Sequence, residues 1–217
     1  MASVNHDTKT QIAGILIALG ALALLGGFLA HPPEVADPAA QAAIIAGSEG
    51  AWRASHALLG LGAALFAVAA LGARSRAGTA AAFGHAMIVI GAAPALLLFL
   101  IEATVAPDVA VSGDLAAFAQ WGSLAVGLVA TLPIFFLGQA LVAFGDRGAT
   151  PRPVAVVAGV LAVVGVVGGV GPVYGLPPAL GVLFFALFPV QLWYVAYGVG
   201  LVRGKGAEPT TGSPTAA

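Results

Sequence analysis

Charged residues are so unevenly placed that they divide the chain into long apolar segments. Five long segments contain no Asp, Glu, Lys or Arg, and they cover residues 10–33, 54–73, 77–101, 115–145 and 153–202. A helix needs about 20 apolar residues to cross the hydrocarbon core of a bilayer, so each of the first four segments predicts one membrane span.

The last apolar segment is too long for a single span. At 1.5 Å per residue, residues 153–202 would form a helix of roughly 75 Å, more than twice the thickness of the hydrocarbon core. The segment also contains a run of glycines and prolines at 171–178, which predicts a turn. Dividing the segment there gives six predicted spans, at about 12–30, 53–73, 79–102, 115–144, 153–171 and 178–202.

The composition agrees with a membrane protein. The chain has 217 residues, of which 60% are hydrophobic and 8% are charged, against roughly 25% charged residues in a typical soluble domain. Mean hydropathy is +1.02, which excludes a soluble globule and a disordered chain. The absence of Cys excludes disulfides and thiolate metal sites. A net charge of −1 argues against nucleic acid as a partner, and the expected partner is the lipid bilayer.

The few charges also predict how the chain is threaded. Most acidic residues fall on one side of the six predicted spans, together with Arg53. The other seven of the eight basic residues fall on the opposite side, and they are Lys9, Arg74, Arg76, Arg147, Arg152, Arg203 and Lys205. Because cytoplasmic loops are enriched in Lys and Arg, both termini are predicted to be cytoplasmic. The fold class expected is an all-α, polytopic integral protein of the cell (plasma) membrane.

The loops and the C-terminal tail complete this picture. We expect a single membrane domain over residues 1–205 and a disordered cytoplasmic tail over 206–217. On the outer side, Asp37-Pro38 reads as a helix N-cap followed by proline at the first helical position, so residues 39–46 are predicted to form a short interfacial helix. Residues 103–114 are predicted to be the second outer loop.

Three prolines interrupt predicted spans at a similar depth. Pro94 lies in the third span, Pro133 in the fourth and Pro189 in the sixth. Each proline removes a backbone hydrogen bond and bends its helix, and bends at one depth can open a cavity between helices. Gln191 and Tyr194 follow Pro189 and could line that cavity. We expect a pocket between the third, fourth and sixth spans, with Gln191 facing protein.

A second polar pair lies nearer the cytoplasmic side. His85 in the third span and Gln139 in the fourth are predicted to share a depth, so a hydrogen bond between them would join the two helices. The alternatives for His85 are a proton relay or a ligand contact, because ionisable groups within spans often serve function.

The outer boundary holds a third group of polar residues. His31 ends the first predicted span, His56 begins the second, and Glu102 ends the third. Two imidazoles and a carboxylate are ligands that Zn²⁺ and Cu²⁺ accept. His31 and His56 are also the one pair at a common depth that could hold a haem. The plainer interpretation pairs Arg53 with Glu102 or Glu49 and leaves the histidines in water.

These patterns leave two function classes open. The leading interpretation is a non-enzymatic membrane protein that binds or transports a small molecule, or serves as an accessory subunit. The alternative is a membrane enzyme or redox protein that uses haem or a divalent metal at His31, His56 and Glu102. Association with a second copy of the chain or with another membrane subunit stays open in both classes.

Overall fold

The computed structural model describes residues 4–73, 78–146 and 148–204, and this part of the chain is helical without strands. Eight α-helices follow one another: α1 (Val4–Ala30), α2 (Pro38–Gly47), α3 (Glu49–Ala73), α4 (Thr79–Ser112), α5 (Leu115–Val129), α6 (Leu132–Phe144), α7 (Arg152–Val170) and α8 (Leu187–Val202). Two 3₁₀ helices, Gly171–Tyr174 and Pro178–Ala186, connect α7 to α8.

In the described residues, six helical segments are long and apolar enough to cross a membrane, the same number of segments that the sequence predicts. They are Thr8–Ala30, Glu49–Ala73, Thr79–Ser112, Leu115–Phe144, Arg152–Val170 and Pro178–Val202. The fourth segment combines α5 and α6, and the sixth combines the second 3₁₀ helix and α8.

The third segment is longer than predicted, and the expected loop at 103–114 is wrong. Helix α4 continues past Glu102 and Pro107 to Ser112, a length of 34 residues. It ends at Gly113, whose φ of 74° lies in the left-handed region that favours glycine as a helix stop. The acidic residues at 102 and 108 mark the end of the apolar stretch of α4, whereas the glycine marks the end of the helix.

The prolines at mid-depth act differently from one another. Pro94 lies inside the unbroken α4. Pro133 lies in the first turn of α6, just after a break at Ala130 and Thr131, where the Tyr174 hydroxyl donates to the Ala130 carbonyl at 2.6 Å. Pro189 lies in the first turn of α8, where the 3₁₀ helix has ended and a proline costs no helical hydrogen bond.

The spanning helices close into a ring. Helix α1 packs on α3, α3 on α4, α4 on α6, α6 on α7, α7 on α8 and its preceding 3₁₀ helix, and α8 on α1. Glycines allow the close approach: a Cβ added at Gly138 would lie 2.8 Å from the Gly84 carbonyl oxygen, and one added at Gly198 would clash with the Gly14 carbonyl oxygen. Small residues at helix crossings let two backbones approach closely, and this close packing joins helices in lipid, where no hydrophobic effect drives them together.

One end of the ring carries a small additional layer. We name it the histidine end, where α1 ends at Ala30 and α3 begins at Glu49; the opposite end, where α1 begins and α8 ends, is the terminal end. The predicted short helix is present as α2, and Asp37 caps it by accepting from the Ala40 amide at 2.7 Å. Helix α2 packs on α4 and α5 through a cluster of Ala42, Ile45, Trp52, Ala110 and Phe118.

Several sequence predictions fall outside the described residues. They concern the basic residues Arg74, Arg76, Arg147 and Lys205 and the tail at 206–217. The basic residues Arg152 and Arg203 are described and lie at the terminal end, where α7 begins and α8 ends.

Candidate functional site

Two histidines from neighbouring helices meet at the histidine end. His31 directly follows α1 and His56 lies two turns into α3. Their Nε2 atoms are 3.3 Å apart, and their rings meet edge to face with centroids 4.7 Å apart. The approach has a local cause in Gly27, one turn before His31: a Cβ there would lie 2.9 Å from the Ser55 carbonyl oxygen, so only glycine lets α1 come this close to α3.

The hydrogen bonds of the two rings fix where their protons are. His31 Nδ1 lies 2.6 Å from the Pro32 carbonyl oxygen, and His56 Nδ1 lies 2.9 Å from the Trp52 carbonyl oxygen. Because a carbonyl oxygen only accepts, each Nδ1 carries the proton and donates it. In the neutral rings each Nε2 therefore holds a lone pair, and the two Nε2 atoms are 3.3 Å apart.

Trp52 is the side chain that holds this pair in place. Its ring centroid lies 4.8 Å from each imidazole centroid. Its indole N–H donates to Glu102 Oε2 at 3.3 Å, which ties α3 to α4. Its ring also belongs to the cluster that seats α2, so the histidine pair and the α2 layer share one side chain.

Arg53 forms a second link between α3 and α4. It pairs with Glu49, as one of the sequence alternatives predicted, and with Asp108 rather than Glu102. Its Nη1 donates to the Ala103 carbonyl at 3.0 Å and to the Thr104 carbonyl at 3.2 Å. Because Pro107 has no N–H to offer the Ala103 carbonyl, the guanidinium supplies the hydrogen bond that the helix lacks.

The expected metal ligands are thus brought together only in part. His31 and His56 converge, whereas Glu102 is engaged by the Trp52 indole. In the part of the chain that the structure describes, no group of three or more His, Cys, Asp or Glu is arranged to hold a metal ion. A haem iron would need its macrocycle between the two imidazoles, and rings in edge-to-face contact leave no room for that plane.

Gln139, Gln191 and Tyr194 form a different arrangement from the one predicted. Gln191 is fully buried and faces protein, as expected. Its Nε2 donates to Gln139 Oε1 at 3.1 Å, and the Tyr194 hydroxyl donates to the Gln139 carbonyl at 2.7 Å. These bonds join α6 to α8 across the centre of the ring. The expected bond between His85 and Gln139 is replaced by this amide pair.

Packed side chains occupy the place where a pocket was expected. The Phe66 ring contacts Tyr194 edge to face at a centroid distance of 4.9 Å and Phe135 at 6.0 Å. Pro189 is exposed on the outside of the ring, and Pro94 and Pro133 are half-buried. The three prolines therefore do not line one common space.

His85 stays apart from both groups. It is 3% exposed, and neither ring nitrogen has a hydrogen-bond partner among the described residues. It lies beside Gly84, one of the glycines at which α4 and α6 are in close contact.

Sequence reasoning missed two structural elements of these sites. Trp52 precedes His56 by one helical turn, a spacing that places it on the same face of α3, and this signal could have found it. At the terminal end, the buried Asp146 carboxylate accepts from the amides of Gly148, Ala149 and Thr150, and the Trp193 indole donates to the Thr150 hydroxyl at 3.0 Å. This network fixes the turn between α6 and α7 against α8.

Comparison with known proteins adds no further constraint: no family model, curated protein or solved structure matches the chain.

Proposed function

We propose that the chain is a six-span protein of the cell membrane, with both termini in the cytoplasm and the histidine end outside. Six apolar helical segments of sufficient length support insertion. The basic residues Arg152 and Arg203 at the terminal end, against Arg53 at the histidine end, support this orientation.

At the histidine end, the protein binds a transition-metal cation between His31 and His56. The observation that carries this proposal is the pair of Nε2 atoms 3.3 Å apart, each on a ring whose Nδ1 donates to a backbone carbonyl. Histidines that bind metal commonly donate their other ring N–H to a carbonyl or carboxylate, which orients the ring and fixes its tautomer. The site has this arrangement on both rings.

The separation of the two nitrogens suits a tetrahedral ion. Two ligand nitrogens that are each about 2.0–2.1 Å from a tetrahedral Zn²⁺ are about 3.3 Å from each other. Imidazole also suits Cu²⁺, so Zn²⁺ and copper are the ions that this pair would select. Binding is favoured over conduction through the ring, because the Phe66, Phe135 and Tyr194 rings fill its centre.

Metal binding by the purified full-length protein tests the proposal directly. The protein is prepared in detergent with an affinity tag that contains no histidine, and Zn²⁺ binding is measured by equilibrium dialysis with elemental analysis. We expect one Zn²⁺ per chain, and we expect His31→Ala and His56→Ala each to weaken binding by at least about 10–100-fold.

The matched control is His85→Ala, which removes a buried histidine from α4 whose ring nitrogens have no hydrogen-bond partner among the described residues. This variant is expected to bind Zn²⁺ as the unmodified protein does. Binding that is absent in the unmodified protein, or that survives loss of both His31 and His56, would overturn the metal-binding proposal.

A further inference from the structure

An open groove lies at the terminal end, where the turn between α6 and α7 packs against the end of α8. Its volume is about 230 Å³. Pockets that enclose a drug-sized molecule usually exceed about 300 Å³, so this groove suits a smaller chemical group. Its lining residues are small or apolar except for one hydroxyl and one cation, and they are Ala149, Thr150, Pro151, Ala196, Val199, Gly200 and Arg203.

The sequence of α8 explains why the groove forms at this place. Ala196, Gly200 and Arg203 follow one another at intervals of four and three residues, so they lie on one face of the helix. A Cβ added at Gly200 would clash with the Ala149 carbonyl oxygen, so glycine lets the turn approach α8 this closely. The small side chain of Ala196, one turn earlier, leaves space beside this contact. Arg203, at the C-cap of α8, places a cation at the end of the same face.

The guanidinium of Arg203 has no hydrogen-bond or ion-pair partner among the described residues, and its side chain is exposed. Arg152, at the start of α7, is engaged by a backbone carbonyl of α6. The acidic residue of the adjoining turn is Asp146, whose carboxylate accepts from the amides of Ala149 and Thr150 and is therefore committed to the turn. The groove thus offers an unpaired guanidinium to an anion.

The walls of the groove and its position indicate which anion fits. Arginine binds phosphate oxygens through two parallel N–H donors. A small free anion gains nothing from the apolar surfaces of Pro151, Ala196 and Val199, whereas the glycerol and first methylene groups of a lipid would cover them. These three residues and Arg203 are exposed, so the groove opens on the outside of the ring. It also lies at the end of the apolar segments, the level at which a bilayer places its headgroups.

We propose that this groove binds the headgroup of an anionic phospholipid, with the phosphate at Arg203 and the glycerol against the apolar wall. Basic pockets between membrane helices are known to hold anionic lipid headgroups in this way. The inference rests on the proposed insertion into a membrane and is independent of the metal site. His31→Ala, at the opposite end of α1, should retain lipid binding even where it abolishes Zn²⁺ binding, so the two proposals fail separately.

Lipid binding to the full-length protein in detergent tests the groove. The protein is titrated with dioleoyl phosphatidylglycerol, and native mass spectrometry counts the lipids that stay bound. We expect one phosphatidylglycerol per chain to be retained in preference to dioleoyl phosphatidylcholine, which has the same acyl chains and no net charge. Arg203→Gln is expected to weaken phosphatidylglycerol binding about fivefold or more, the contribution of one cation at an anionic membrane surface. Ala196→Leu fills the groove without changing a charge and is also expected to weaken binding.

Lys9→Gln is the matched control for the loss of one positive charge at the terminal end, because Lys9 is exposed on α1 and does not line the groove. This variant is expected to bind phosphatidylglycerol as the unmodified protein does. Equal binding of the two lipids, an equal loss in Lys9→Gln and Arg203→Gln, or unchanged binding in Ala196→Leu would overturn the proposal. Displacement of the lipid by an equimolar amount of glycerol 3-phosphate would also overturn it, since the groove would then be a site for a soluble anion.

Discussion

Single residues at the centre of the ring illustrate how few polar side chains hold helices together in this chain. Gln139 and Gln191 are both fully buried, and each amide satisfies only part of the other's hydrogen-bonding capacity. An unpaired amide in an apolar interior costs more than a pair contributes, so the two residues depend on each other.

This dependence predicts a specific coupling in a double-mutant cycle. Gln139→Leu and Gln191→Leu are each expected to destabilise the protein in detergent, because each leaves one amide alone among apolar groups. The double variant is expected to be less destabilised than the sum of the two, with a coupling of about 0.6–2 kcal/mol, the range of hydrogen bonds between membrane helices. Unfolding monitored by circular dichroism gives these energies.

The control cycle pairs Gly127→Ala in α5 with Gln139→Leu. Since a Cβ added at Gly127 meets no atom within 4 Å, these two changes share no contact and their effects should add within about 0.5 kcal/mol. Coupling in the control as strong as in the glutamine pair would contradict the assignment of Gln191 as the partner of Gln139.

For single residues, the sequence predicted the depth of polar side chains better than it predicted their hydrogen-bond partners. The depth of His31 and His56 follows from where the apolar segments begin and end, and the burial of Gln191 follows from the cost of an amide in lipid. The choice between His85 and Gln191 as the partner of Gln139 depends on how far each helix is rotated about its axis. Glycine contacts between helices distant in the chain set that rotation, and no spacing within one helix reveals it.

At the scale of secondary-structure elements, the packing of the helices depends on close approach between their backbones. Helices α4 and α6 are in contact along a series of glycines: Gly84 faces Gly138, and a Cβ added at Gly145 would lie 2.6 Å from the Ala81 amide nitrogen. Backbone atoms cannot move aside as flexible side chains can, so these positions tolerate no larger residue without separating the helices.

Gly138→Ala is therefore expected to destabilise the protein by about 1–3 kcal/mol, the usual cost of overfilling a packed contact. Gly127→Ala in α5 is the matched control, because a Cβ there meets no atom within 4 Å. This second change is expected to be neutral or slightly stabilising, since alanine is the better helix former. Thermal unfolding of both variants in the same detergent measures the difference, and equal midpoints would argue against the tight crossing.

Helix boundaries were predictable where local chemistry sets them. Asp37 followed by Pro38 gave the start of α2, and the run of glycines and prolines at 171–178 gave the end of α7. The end of α4 was misjudged because Glu102 and Asp108 mark the end of the apolar stretch, whereas a helix can continue beyond it until a residue such as Gly113 stops it. At the break before α6, the Ala130 carbonyl accepts from the Tyr174 hydroxyl, 44 residues away, and this partner could not be found from local sequence.

The whole molecule combines a ring of helices that are long and apolar enough to span a membrane with a layer at one end. Helix α4, at 34 residues, is about 51 Å long, and about 20 Å of it exceeds the hydrocarbon core. Near the histidine end, α4 carries α2 and the start of α5. In the proposed orientation this layer faces the outside of the cell.

Single cysteines test that orientation without interference, since the chain has none. Cysteines at Ala39 in α2 and Ser112 at the end of α4 are expected to react with a membrane-impermeant maleimide applied to intact cells. Cysteines at Thr79 and Arg203 should react only after the cells are opened. All four residues are exposed, so accessibility within the fold does not confuse the result. Labelling at Arg203 from outside would reverse the proposed threading.

The contact between α1 and α8, made where Gly14 meets Gly198, has a consequence for chain connectivity. Because the first and last helices are neighbours in the ring, the packing does not require any one of the six segments to come first. Helix α1 begins and α8 ends at the same end of the ring, so a linker could join them while a new start is opened in another turn. The architecture would then be a cycle with an arbitrary beginning, in which the helix contacts of the folded protein are retained wherever the chain is opened.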